Sequence, residues 1–391
     1  MNNKNVEIRD EEMLLAGLSR LVFSQKLIQQ IHDLIKSIND WDYFTSLANK
    51  HGISSLVFHN LEQLGFLSLL PEITVKSIRN FHMLSISRNT FHKAVLADIV
   101  GILSRGGIKV VLIKGLALEM TVYGDAGLRQ MTDIDILIYR SDHLKARNLL
   151  MAGGYVSRPL KSRFHESIIA WTGKHLPSLI KNGVSVDIHL ELFPGKKNKL
   201  TQQIIDTSGE IEIDAETAYI PEPRLFFLYL VRHLNFHEMQ GESQLRMYAD
   251  LIILIDKFRE AIITPELLSE ASEAGLAETL ARKFVLLRDF FGISFPAWID
   301  DFIRKWSLHD SLRCFISFLK NPKNKRPLFP GHLYRATIKE IPGIRKKVLF
   351  IIGDIFPGTS FMKERYHCRS VWRAMLYYPV RFGKIAFLFI K

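Results

Sequence analysis

The chain has 391 residues, 47% of them hydrophobic and 24% charged, and carries a formal net charge of +12. That is enough sequence for two or three domains and a sizeable core, and the composition excludes disordered and fibrous classes. Two cysteines, Cys314 and Cys368, far apart in sequence, argue against a disulfide scaffold and a cysteine zinc cluster, and suit a reducing cytoplasm. The opening MNNKNVEIRDEEMLL sets acids where a secretory signal needs a basic region and an apolar run. No segment reaches the roughly 18 unbroken apolar residues expected of a spanning helix.

Residues 10–95 read as helical. EEMLLAGLSRLVF and KLIQQIHDLIKSI repeat apolar residues at i, i+3, i+4 and i+7. WDYFTSLANKHGISSLVFHNLEQLG gives two shorter helices broken at Gly52, and Pro71 begins a longer one that runs on to SRGG. The pattern then changes. IKVVLIKG is a β-branched apolar run bounded by glycines, the mark of a buried strand. LALEMTVYG follows as a short helix, DAGLRQMT as a loop and DIDILIY as a second strand. HLKARNLLMAGGY is a helix with a glycine stop. HLPSLIKNGVSVDIHLEL reads as a hairpin turning at Lys181–Asn182–Gly183. From Pro221 helices return: RLFFLYLVRHLNFHE, QLRMYADLIILIDKF, and ELLSEASEAGLAETLARKFVLLRDFFG, the last running to about Gly292. PKNKRPLFPG, over 322–331, is a Pro/Lys linker. The expectation is an α+β protein, a small mixed sheet flanked by N-terminal and C-terminal helical regions. Its divisions fall at 1–95 (helical), 96–200 (α/β core), 201–321 (helical) and 322–391 (basic, aromatic-rich helical tail).

That tail holds most of the charge. Residues 331–391 carry 12 Lys and Arg against 3 Asp and Glu. Basic helices interleaved with Trp, Tyr and Phe suit an anionic membrane surface, which would make the protein peripheral to the inner membrane. They also suit a helical cap on the core with solvated lysines, and nucleic acid is the lesser alternative.

The most informative stretch is 112–138. Asp133 and Asp135 sit in an apolar strand, and side chains alternate with period 2, so both carboxylates share one face. Two like charges on a half-buried face repel and lose hydration, a cost that a divalent cation removes. Asp187 is a third acid inside an apolar strand, VSVDIHLEL; beside the first pair it would make a cluster able to hold Mg²⁺ and to position an acceptor hydroxyl. Lys114–Gly115 stands where a strand meets a helix, a place suited to phosphate: the glycine admits close backbone approach and the lysine brings a point charge. Arg129 could reach the same phosphates.

Lys-Gly, then Tyr-Gly-Asp-x-Gly-Leu-Arg-x-Met-x-Asp-Ile-Asp-Ile-Leu, then Val-Asp-Ile-His, in this order, resembles the uncharacterised nucleotidyltransferase-like family of the DNA polymerase β superfamily. The likeness is sharp over 110–140 and 184–192. The Lys-Gly pair stands in place of the superfamily's usual Gly-Gly or Gly-Ser, and further from Asp-x-Asp. The resemblance implies a small sheet between helical regions, with Asp133 and Asp135 as metal ligands and Asp187 as the third carboxylate. It implies a Mg²⁺-dependent (or Mn²⁺-dependent) transfer of a nucleoside monophosphate from an NTP, ATP foremost, to a hydroxyl or phosphate acceptor. Members look like tailoring enzymes of varied bacterial pathways, so the acceptor stays open among small molecules, peptides, sugars and lipid precursors. Phosphoryl transfer on the same fold, or nucleotide binding without catalysis at a membrane surface, are the alternatives.

Each residue also has a plainer reading. Asp133 and Asp135 could be exposed strand acids, Lys114 a solvated strand end, and Arg129 the ion-pair partner of Asp133. Asp125 fits a turn. His189 points to the face of Asp187, either near the metal ligands or as a hydrogen-bonded half-buried residue. Arg246 and Asp250, at i, i+4, could line the site or pair as ions. His233 and His237 share that spacing, but lack the intervening glutamate of a His-Glu-x-x-His zinc motif.

Overall fold

The computed structural model describes residues 8–162, 164–165, 175–193, 199–306, 311–322, 335, 338–339, 341 and 343–383. The linker expected at 322–331 lies almost wholly outside these residues.

The first helices are α1 (Asp10–Gly17), α2 (Gln25–Ser37), α3 (Trp41–His51), α4 (Ser54–Gln63) and α5 (Glu72–Arg105). Ser24 caps α2 by accepting from the Leu27 N–H, and Asp40 caps α3 by accepting from Tyr43 N–H at 2.8 Å. The left-handed Gly52 ends α3 as the sequence suggests. α5 is 34 residues long and runs past residue 95 to the Gly106–Gly107 stop; Gly101 alone does not break it.

A seven-stranded mixed sheet follows. Its strands are β1 (Val111–Leu112), β2 (Asp133–Leu137), β3 (Val156–Ser157), β4 (Leu179–Lys181), β5 (Val184–His189), β6 (Gly209–Ile213) and β7 (Glu216–Ile220), in the order β3-β4-β5-β2-β1-β7-β6. β2 is antiparallel to β1 and parallel to β5, and β1 is parallel to β7. Asn182 and Gly183, both at positive φ, make the hairpin turn between β4 and β5. β6 and β7 carry the sheet to Ile220, beyond residue 200 where the sequence sets the end of the α/β core, with one short helix over Leu200–Thr207 before them.

Helices pack around this sheet. α6 (Lys114–Leu118) follows β1 and continues as a π-turn over Glu119–Tyr123, then α7 (His143–Ala152) follows β2. α8 (Leu200–Thr207), α9 (Pro223–Met239) and α10 (Leu245–Ile262) come next, α9 and α10 packed against each other. The run read as one helix to Gly292 is two, α11 (Pro265–Glu273) and α12 (Ala277–Asp289), because Gly275 at φ 67° turns the chain between them. α13 (Ala297–Ile303) and α14 (Ser311–Lys320) complete this part. One continuous core joins the N-terminal helices, both faces of the sheet and the later helices. α15 (Ile344–Ile355), α16 (Thr359–Arg365) and α17 (Val371–Met375) form the tail, and there a separate small cluster buries only Ile341 and Phe350.

No helix among the described residues is long and apolar enough to cross a membrane.

Candidate active site

The parallel pairing of β2 with β5 sets the register that builds the site. Asp135 lies directly across from Asp187, and Asp133 across from Ser185. Period-2 alternation puts Asp133 on the face of Asp135, while Ile134 and Ile136 turn the other way and are fully buried. The three acids therefore converge, each offering a carboxylate oxygen within 4.8 Å of the other two. Burial and the neighbouring charges of Asp135 and Asp187 push the Asp133 carboxyl above its ordinary value, against the pull of Lys114.

Asp135 is the most constrained of the three. Its Oδ1 accepts from Lys114 Nζ at 2.6 Å and lies 2.7 Å from His189 Nε2. Burial alone would raise its pKa, but Lys114 and His189 outweigh burial and hold it well below the usual carboxylate range. His189 is itself lowered by burial and by Lys114, so its neutral ring donates from Nε2 and orients the acid. Asp187 differs. Its buried Oδ1 has no hydrogen-bond partner among the described residues. An unsatisfied buried carboxylate oxygen is costly, and one facing two more carboxylates asks for a cation. Three oxygen donors with no thiolate or imidazole among them suit a hard divalent ion such as Mg²⁺ or Mn²⁺.

Lys114 begins α6, not the end of a strand, and its backbone sits at φ 55°. A non-glycine residue there costs about 1–2 kcal/mol, a strain typical of functional positions. It delivers Nζ onto Asp135. Gly115 has a packing reason: a Cβ there would lie 2.8 Å from Arg129 Nη1 and 2.8 Å from Met131 Sδ. The loop carrying Arg129 is pinned from several sides. Asn89 of α5 donates to the Arg129 carbonyl at 2.9 Å, Glu119 accepts from the Gly127 N–H at 3.1 Å, and Ser55 donates to the Gly127 carbonyl at 2.6 Å. Gly127, at φ 89°, abuts the backbone of Ile86, 2.6 Å from where a Cβ would stand. Only glycine fits.

Arg129 meets neither the acids nor open space. Its Nε and Nη2 each donate to Asp250 of α10 at 2.8 Å, a buried two-pronged pair. Tyr123 donates to the same Asp250 oxygen at 2.8 Å. The structure thus joins Arg129 to Asp250 rather than to Asp133. Arg246 makes no ion pair with Asp250; it donates to the Gln130 carbonyl and, at 2.8 Å, to Gln244 Oε1. Asp125 is an exposed residue of the connecting loop.

Tyr229, which no sequence motif marks, joins His233 and His237, a pair without the glutamate of a zinc motif. All three lie on one face of α9 at i, i+4 and i+8, with the two imidazoles edge to face at 4.6 Å. Burial and then the charge of Lys114 lower both histidines, which marks this face as a wall of the site. The spacing was the available signal, since a helix presents such positions as one stripe.

A mixed sheet thus gathers three carboxylates beside a strained lysine, a cluster that could hold a metal ion. The chain belongs to a family of uncharacterised nucleotidyltransferases, whose model matches residues 37–292. No curated protein matches it.

Proposed function

We propose that this protein is a divalent-cation-dependent nucleotidyltransferase that moves a nucleoside monophosphate from an NTP, ATP foremost, to a hydroxyl or phosphate acceptor and releases pyrophosphate. The observation that carries this reading is the convergence of Asp133, Asp135 and Asp187 from paired strands, with one buried oxygen of Asp187 unsatisfied. Asp133, Asp135 and Asp187 would hold the ion, Mg²⁺ or Mn²⁺. When bound, such an ion supplies positive charge to the triphosphate and acidifies the attacking hydroxyl. Asp187 orients that hydroxyl and is the nearest proton acceptor. Lys114 brings its ammonium to the donor phosphates. His189 fixes the rotamer of Asp135. Arg129, locked to Asp250, seats the loop beside Gly115.

We place the enzyme in the cytoplasm, with its tail against an anionic membrane surface. In support, Ile344, Val348 and Ile352 form an exposed stripe at four-residue spacing along α15, with exposed Phe356 just past its end and exposed Arg345 and Lys346 beside it. The acceptor class is left among small molecules, peptides, sugars and lipid precursors.

The test is release of labelled pyrophosphate from NTP in the presence of Mg²⁺ or Mn²⁺. We expect Asp133→Ala and Asp135→Ala to lower it by roughly a thousandfold or more, the several kcal/mol that a catalytic ion contributes. Full turnover in the doubly substituted protein would end the proposal. Product mass distinguishes the phosphotransferase alternative, which adds phosphate rather than a nucleoside monophosphate.

A further inference from the structure

Two arginines stand near the acids, and the structure treats them oppositely. Arg129 is neutralised by Asp250 through two bonds of 2.8 Å. Arg246 is half-buried, and among the described residues it has no carboxylate within ion-pair distance. Its Nη1 and Nη2 donate only to neutral oxygens, the Gln130 carbonyl and Gln244 Oε1, and its Nε donates to nothing.

The surroundings increase the imbalance. Arg246 is the second residue of α10, an 18-residue helix, so it stands at the positive end of the helix dipole. Acidic residues usually occupy such a position. Here the group that accepts from the first N–H of the helix, Leu245, is His51 Nδ1 at 3.0 Å, and burial keeps that imidazole neutral. Burial, and then the charge of Arg129, push the Arg246 guanidinium down to about 10, although Asp250 and Asp133 act in the other direction. Asp133 stands three residues beyond Gln130, whose carbonyl holds Arg246. Once the acids serve a cation, the carboxylate left acting on this guanidinium among the described residues is Asp250, which is already bonded twice to Arg129. An uncompensated, partly desolvated arginine is expensive unless a ligand completes it.

We propose that Arg246, rather than Arg129, is the arginine that binds the triphosphate of the nucleotide donor, with Gln130 and Gln244 holding its guanidinium toward the β- and γ-phosphates. This rests on the nucleotidyltransferase reading. It assigns Arg129 the separate task of bracing the loop that carries Gln130.

The experiment is equilibrium binding of ATP, ADP and AMP with Mg²⁺ present, read by calorimetry without any acceptor, together with the thermal midpoint of each variant. Wild type is expected to bind ATP more tightly than AMP. In Arg246→Met the ATP affinity should fall about 10–100-fold, the loss of a charge-assisted phosphate contact, while AMP binding changes little. Arg246→Lys should recover part of the loss. A folded Arg246→Met with that preference intact overturns the proposal. Should the variant fold poorly, arginine-directed labelling of wild type by phenylglyoxal decides. Inorganic tripolyphosphate with Mg²⁺ should protect Arg246, and equal labelling with and without it is the overturning result. Wild type that binds none of the three nucleotides refutes the nucleotidyltransferase reading itself, an outcome distinct from the other two.

Discussion

Around the sheet the chain buries four charged side chains, Glu119, Arg129, Asp135 and Asp250, and gives each an ion-pair partner, whereas between Ile344 and Gly383 it exposes many apolar side chains. The first region holds Asp135 between Lys114 and His189, and Asp250 between Arg129 and Tyr123, with only small exposure at either acid. The second region, a tenth of the chain, supplies 12 of the 23 large hydrophobics that are exposed among the described residues. Buried charges are unfavourable for folding alone, and so are exposed apolar stripes. Both therefore point to something the chain meets: a charged ligand at the sheet, an apolar and anionic surface at the tail. What differs is the cost of disturbing them. A buried pair fails as a unit, while an exposed stripe can be trimmed one residue at a time.

The largest effect on stability should come from Asp250→Ala. It leaves the Arg129 guanidinium and the Tyr123 hydroxyl buried without their shared acceptor, and breaking one side of a buried ion pair costs about 3–5 kcal/mol. Urea unfolding measures this. Replacing Arg129 and Asp250 together by apolar residues should recover part of the loss, because no lone charge remains. A cost below about 1 kcal/mol for Asp250→Ala would show that this region is no more tightly paired than a surface.

A smaller and pH-dependent effect is expected at His51. Its Nε2 lies 2.8 Å from the Leu319 carbonyl, to which it donates, and its Nδ1 accepts from Leu245, so both nitrogens are engaged in the neutral form. Burial lowers its pKa from 6.5 to about 4. The sign follows from linkage. Above pH 6.5 the residue is neutral in both states and contributes no pH dependence. As pH falls from 6.5 toward 4 the unfolded chain takes up the proton and the folded one resists it. Stability then drops by about 1.4 kcal/mol per pH unit, levelling off below pH 4. His51→Gln should flatten that limb of a stability-against-pH curve. An unchanged slope would assign the acid sensitivity to other groups.

The sequence carried the sheet face better than its surroundings. Alternation alone places Asp133 and Asp135 together, and the apolar run around Asp187 implies a strand; these are local signals, whereas the pairing of that strand beside the first comes from the fold. β6 and β7 went unread because their turn, Asp214–Ala215, has both residues at positive φ with neither glycine nor asparagine to announce it, and GEIEI has the acids of an edge strand. Arg129 was legible as a residue near the acids but not as the partner of Asp250, 121 positions away, since only the packing of α10 against the loop decides which carboxylate it meets. The same holds for Arg246. At i, i+4 it looked like Asp250's partner, and the structure gives that carboxylate to another cation. Lys114 misled for a backbone reason, because a single left-handed residue ends β1 three positions early and starts a helix.

The smallest effect, and the test of the other half of the comparison, lies in the tail. Among its contacts with the body is one buried acid, Asp354, which accepts from Lys161 at 2.7 Å and lies 3.5 Å from His165 Nε2 and from Arg381 Nη2 of the tail itself; the Gly358 N–H also donates to the Lys161 carbonyl at 2.6 Å. Arg345, Arg369 and Arg373 are exposed, as are Trp372 and Leu376, at 78% and 75%. Trp372 and Leu376 are a helical turn apart and cover one side. We expect the protein to sediment with vesicles containing phosphatidylglycerol and much less with pure phosphatidylcholine, and the binding to weaken with salt, since each basic residue near such a surface contributes about 1 kcal/mol. Trp372→Ala with Leu376→Ala should weaken it about tenfold, the loss of two partly inserted apolar side chains, without moving the thermal midpoint, because neither side chain is part of a packed core. A midpoint lowered by several degrees, with vesicle binding unchanged, would instead make these helices a cap folded against the protein or against a second copy of it.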